Sequence, residues 1–129
     1  MNEQSHMTQL DDETFKELID RAFESLPEPH RSGVKNVAIV VQDEPSEQQR
    51  LELQLHCNQT LLGLYQGTPL PKRQGRDMLL PDVITLFKLP LLERASDEAE
   101  LYEEVRHTLW HEVAHYYGLD HSQIHKLET

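Results

Sequence analysis

Residues 96–121 constrain this chain most, because 96–118 read as one long helix with both ends marked, and histidines crowd its far end and the turn that follows. Ser96 and Asp97 open it, and Asp97 followed by Glu100 has the spacing of a capping box. Leu101, Val105, Thr108, Leu109 and Val113 recur at helical spacing and predict a buried face, with Glu98, Glu103 and Glu104 left in water. Trp110 reads as core. Gly118 tolerates the left-handed conformation in which helices end, so it is the natural stop.

Of eight histidines, five (His107, His111, His115, His121 and His125) lie in the last 23 residues. The centre of that run is His111-Glu112-Val113-Ala114-His115-Tyr116-Tyr117-Gly118-Leu119-Asp120-His121. Two histidines four apart share a helical face one turn above each other, so both imidazoles can reach a single ion. Zinc takes imidazole nitrogen at about 2.0–2.1 Å, and a catalytic zinc keeps three protein ligands and an open position for water. Glu112 stands where a carboxylate can take a proton from that water. The turn at Gly118 can bring His121 back as the third ligand, with Asp120 and His125 as rivals for the place. A cluster of surface histidines on an acidic helix is the bland alternative, and the added glycine and histidine at fixed offsets weigh against it.

His107 reads as solvated or as a support for the ligands. One of Tyr116 and Tyr117 can face a developing oxyanion, while aromatic packing is the plainer duty of at least one. His6, His30 and His56 have no partners at ligand spacing, and Cys57 reads as a small core residue.

Upstream, residues 1–10 are expected to fray. From Asp11, the residues Phe15, Leu18, Ile19, Ala22, Phe23 and Leu26 predict a packing helix closed by Pro27 and Pro29. The β-branched run 34–41 predicts a strand buried on both faces. Residues 47–57 alternate like a strand at Leu51, Leu53 and Leu55, but Ser46 with Gln49 resembles a capping box, which favours a short helix. Strands are expected at 61–66 and 83–89, the second ended by Pro90. Between them lies a turn-rich stretch carrying Lys72, Arg73 and Arg76, either a solvated loop or a substrate-facing one. The expected whole is one α+β domain over residues 11–129: a small mixed sheet packed against an N-terminal helix and the motif helix.

Charge narrows the partners. Twelve Lys and Arg against 23 Asp and Glu leave −11 with histidine neutral, a field that repels phosphate backbones and anionic membranes. A single cysteine fits a reducing compartment, and no basic segment leads into an apolar run at the start, so a cytoplasmic protein is expected.

The pattern HExxHxxGxxH, here His111 to His121, is the signature of the metzincins, which place a methionine turn beneath the zinc. Here Met1, Met7 and Met78 all lie upstream and eight residues follow His121, so the chain departs from that group. It more closely resembles the small bacterial zincin-like metallopeptidases of about 120–140 residues. The resemblance runs through Gly63-Leu64-Tyr65, Gly67 and Pro69-Leu70, then Pro81-Asp82-Val83-Ile84-Thr85-Leu86-Phe87, then the motif helix. It implies a minimal zincin-like fold, zinc as cofactor, hydrolysis of a peptide or protein substrate, and Glu112 as general base. Many members carry Asp where His121 stands, so the third ligand stays open. In zincins an extended substrate commonly lies beside an edge strand above the motif helix, and 83–89 is the candidate here. A second resemblance, to bacterial rRNA-maturation endoribonucleases, rests on His111, His115, Gly118, Asp120 and His121. Those enzymes usually have Gly where Glu112 stands. A zinc-stabilised adaptor without catalysis is the third reading.

Overall fold

The structure, a computed structural model, describes residues 9–56, 62–67, 81–119 and 122–123. Helix α1 spans Asp12–Glu24. The Asp11 carboxylate caps it by accepting from the Thr14 N–H at 3.0 Å. Asp12 and Glu13 then place negative charge at the positive end of the helix dipole. Phe15, Leu18, Ile19 and Ala22 all turn into the core, as their spacing predicts.

Strands β1 (Val37–Gln42), β2 (Gly63–Gln66) and β3 (Asp82–Phe87) form one mixed sheet in the order β1-β3-β2. β1 runs parallel to β3 with Ile39 opposite Ile84, and β2 runs antiparallel with Tyr65 opposite Ile84. Three expectations change here. The run at 34–41 does not become a strand buried on both faces, because β1 is an edge strand; Val40 and Val41 are each 40% exposed. The doubly buried strand is β3, where Ile84, Leu86, Thr85 and Phe87 are all buried. Being central, β3 pairs on both sides and has no free edge for a substrate, so 83–89 is not the substrate-flanking strand. Nor does Pro90 end that strand. β3 stops at Phe87 and passes directly into α3 (Lys88–Arg94), whose first turn holds Pro90. The first N–H groups of a helix have no partner within it, so proline costs nothing there.

α2 spans Glu47–His56, the helical alternative for that stretch. Its capping box forms: the Gln49 N–H donates to Ser46 Oγ at 3.1 Å, and the Ser46 N–H donates to Gln49 Oε1 at 2.9 Å. α4 spans Glu98–Tyr116. At its start the Asp97 carboxylate accepts from the Glu100 N–H at 2.8 Å, and the Glu100 carboxylate accepts from the Ser96 N–H at 2.9 Å. At its end Gly118 takes φ 80°, and two N–H groups close the last turn. Gly118 donates to the His115 carbonyl at 2.9 Å and Leu119 to that of Ala114 at 3.1 Å, the Schellman pattern.

Phe15, Leu18 and Ala22 of α1 join Val105, Leu109 and Val113 of α4 over Ile84 and Leu86 of β3 in one core. On the other face of the sheet Leu64 packs with Phe87. Arg106 Nε donates to Ser25 Oγ at 2.8 Å and joins α4 to the end of α1, while Lys88 Nζ meets Asp12 Oδ1 at 2.7 Å. The result is the expected α+β arrangement, a small mixed sheet covered by an N-terminal helix and a long motif helix. No helix among the described residues is long and apolar enough to cross a membrane. Cys57, Lys72, Arg73, Arg76, Asp120, His121 and His125 lie outside the described residues.

Candidate metal centre

The last two turns of α4 carry the motif. His111 and His115 stand one turn apart with ring centroids 4.7 Å apart and ring planes at 61°. Glu112 lies beside them, 5% exposed, with Oε1 3.4 Å from His115 Nδ1. One ligand atom from each of the three residues can be chosen so that all lie within 4.8 Å of one another. Two imidazole nitrogens and a carboxylate oxygen therefore converge on one small volume; the imidazole pair suits zinc, and the carboxylate beside it can serve as a further ligand or as a base. Both histidines are half-buried and open to solvent on one side, while the carboxylate lies deeper. His107, one turn earlier, is exposed and outside this three-residue cluster. The remaining ligand candidates, His121, Asp120 and His125, fall outside the described residues.

The helix meets β2 along the same side. A Cβ added at Gly63 would stand 2.6 Å from Thr108 Cγ2, closer than real Cβ atoms come, so glycine is what lets this strand approach. Thr108 is one turn before Glu112. One turn after it, the Tyr116 ring meets Tyr65 of β2 edge-on at 6.3 Å. β2 thus touches α4 both before and after the glutamate. The Tyr65 hydroxyl donates to the buried Asp82 carboxylate at 2.6 Å, which anchors that end of the contact to β3.

The two tyrosines after His115 do a different job from the oxyanion contact that one of them offered in the sequence. Tyr116 is buried, and the Lys35 N–H donates to its hydroxyl at 3.3 Å. The Tyr117 hydroxyl donates to the His30 carbonyl at 2.6 Å. Burial pushes the Tyr117 hydroxyl above the usual tyrosine pKa, with Tyr116 and Glu28 adding to the shift, so it remains a donor. His30 itself lies edge-on to Trp110 at 5.2 Å and to Tyr117 at 5.1 Å. Trp110 is core, as expected.

The segment between α1 and β1 therefore clamps the C-terminal end of the motif helix, a role the sequence reading missed. Gly33 sits against the Tyr117 hydroxyl, where a Cβ would come within 2.3 Å. Within the segment Arg31 Nε donates to Glu28 Oε2 at 3.1 Å and Ser32 Oγ donates to Glu28 Oε1 at 2.7 Å. These hydrogen bonds, Ser32 first and Arg31 second, lower the Glu28 pKa to about 2. Pro27 and Pro29 were the available signal: they close the first helix in the sequence, without saying what the segment after it packs on.

The family model of zincin-like metallopeptidases matches residues 34–129. No curated protein matches the chain. Among solved structures, a conserved hypothetical protein from Thermus thermophilus superposes with a TM-score of 0.54 at 24% identity, covering 84% of this chain and 94% of that one. That likeness concerns the fold. The family match spans all three strands and the whole of the motif helix, and by it the chain belongs to the zincin-like metallopeptidase family.

Proposed function

We propose that this chain is a zinc-dependent peptidase in which His111 and His115 hold the metal, His121 completes the ligand set and Glu112 is the general base. The observation that carries this reading is the Glu112 carboxylate, buried beside two half-buried imidazoles and 3.4 Å from one of them. Zinc bound there supplies Lewis acidity, acidifying a water molecule and polarising the scissile carbonyl. The chain's own part is proton handling and placement. Glu112 accepts the proton of the attacking water on a carboxylate oxygen and returns it to the leaving amine nitrogen. Its backbone is fixed by α4, and its surroundings are fixed by Thr108 against Gly63 and by Tyr116 against Tyr65.

The substrate is a peptide or an extended segment of a protein. Among the described strands the outer one beside α4 is β2, and we place the substrate backbone along it. The carboxylate at Glu112 and a net charge of −11 both weigh against an RNA substrate.

The test is cleavage-site profiling of a diverse peptide library by mass spectrometry, with zinc-loaded wild type against Glu112→Gln. Cleavage by the wild type alone supports the peptidase and the base together. A zinc-loaded wild type that cuts neither peptides nor unfolded proteins overturns the reading, and a fully active Glu112→Gln overturns the role of the glutamate.

A further inference from the structure

We propose that His107 and His111 form a capture site for zinc, one helical turn before the centre, from which His111 passes the ion on to His115. The proposal rests on the reading of His111 and His115 as zinc ligands, and it adds a residue that the seated ion does not touch.

His107, His111 and His115 follow one another on α4 at intervals of four residues. Side chains at that spacing stand one turn apart on the same side of a helix, and two histidines so placed can close on a single divalent cation. The helix therefore carries two such pairs, and His111 belongs to both. The three do not share one ion. Eight residues separate His107 from His115, a rise of about 12 Å, and helical side chains all lean toward the N-terminus, so their tips keep that separation. Zinc holds each imidazole nitrogen at only about 2.0–2.1 Å. The converging group is accordingly His111, Glu112 and His115, without His107.

Exposure falls along this stripe. His107 is exposed, His111 and His115 are half-buried, and Glu112 beside them is 5% exposed. A hydrated ion exchanges its waters for protein ligands one at a time, so the imidazole most open to solvent is the first it can reach. Charge favours the same end. Glu103 is exposed one turn before His107 and extends the stripe with a carboxylate, which draws a cation toward the outer pair. Glu104 contributes less, because its carboxylate already lies 3.5 Å from Arg94 Nε. From the outer pair the ion needs only one ligand exchange, His107 for His115, while His111 keeps hold of it. A residue that relays the ion in this way alters the rate of approach to equilibrium and not its position. Its loss slows uptake and release by the same factor, whereas loss of a seated ligand weakens the affinity.

Stopped-flow mixing of the metal-free full chain with zinc tests this, with uptake followed by a chromophoric chelator and release measured into an excess of it. His107→Ala and His107→Gln both change an exposed position, and their fold is checked by circular dichroism. Each is expected to slow uptake and release about three- to tenfold and to leave the dissociation constant within about twofold of wild type. The glutamine variant keeps most of the bulk without the imidazole donor, so its agreement with alanine ties the effect to ligation. Unchanged uptake in either variant, or an affinity weakened beyond that range, overturns the capture site and leaves the zinc centre standing. A wild type that binds no zinc removes the centre itself, and the proposal with it.

Discussion

Glu112 Oε1 lies 3.4 Å from His115 Nδ1, so this buried carboxylate already stands against one of the half-buried imidazoles. The glutamate is buried because α4 presents it, with Thr108 and Tyr116, to the side on which β2 approaches. A carboxylate held this way would not have to be recruited by substrate to act as the proposed base. Glu112→Gln keeps the shape and removes the proton acceptor. Turnover is expected to fall by about 10²–10⁴ with the zinc content unchanged, as checked by steady-state kinetics beside metal analysis. Undiminished kcat in the glutamine variant is the result that contradicts the base.

Removing an imidazole acts on the metal rather than on the proton. His115→Ala is expected to lose stoichiometric zinc. Because a ligand that binds only the folded state raises its stability, zinc should raise the melting temperature of the wild type and leave that of the variant unmoved. A variant that retains one zinc per chain and the full thermal shift removes His115 from the ligand set.

The motif helix was legible in the sequence because everything that defines it is local. Asp97 and Glu100 are three residues apart and form the start; Gly118 ends it through bonds to the preceding turn; the two histidines share a face by period alone. The capping box of Ser46 and Gln49 settled α2 on the same basis. Sheet order was not legible, since β1 pairs with β3 and skips β2, and no local pattern encodes that choice. The apolar composition of β1 suggested a central strand and instead marks an exposed edge. The clamp on α4 was hidden for the same reason. Tyr116 and Tyr117 reach backbone groups 81 and 87 residues away, and a hydroxyl on a helix gives no sign of a partner so distant. His121, the residue that most extends the motif, lies outside the described residues.

The clamp can be weighed by removing one atom. Tyr117→Phe deletes the hydroxyl that donates to the His30 carbonyl and leaves the ring against His30. A neutral, partly buried hydrogen bond contributes about 1 kcal/mol, and in a chain of this size that corresponds to roughly 3–5 °C in Tm. Differential scanning calorimetry on the metal-free protein gives the value free of zinc binding. No shift would mean that the hydroxyl contributes nothing to holding the helix end.

Acid should loosen the same segment in a defined window. The Glu28 pKa is lowered to about 2 from an ordinary value of 4.5, through its hydrogen bonds to Ser32 and Arg31. A carboxylate whose folded pKa is depressed adds stability that is complete above the unfolded value and is lost as pH falls through the folded one. The contribution of Glu28 is therefore intact at pH 6 and declines from about 4.5 down to about 2. Glu28→Gln lacks this component, so urea midpoints of the metal-free proteins should differ at pH 6 and converge toward pH 3. A gap that stays constant over that range would show that the glutamate does not titrate with the clamp.

The close approach of β2 to α4 makes the sharpest structural prediction. Gly63→Ala adds a Cβ that would stand 2.6 Å from Thr108 Cγ2, and Thr108 is buried and helical, so neither partner can step aside freely. Overpacking of this kind costs about 1–3 kcal/mol, read as a lowered urea midpoint. The clash involves one methyl group, which Thr108→Ser removes. Residues in contact do not add independently, so the double variant should lose clearly less stability than the two single losses combined. Kinetics should follow the same pattern, because the strand displaced by Gly63→Ala is the one that borders Glu112 before and after. Additive losses in stability would place the strain somewhere other than between Gly63 and Thr108.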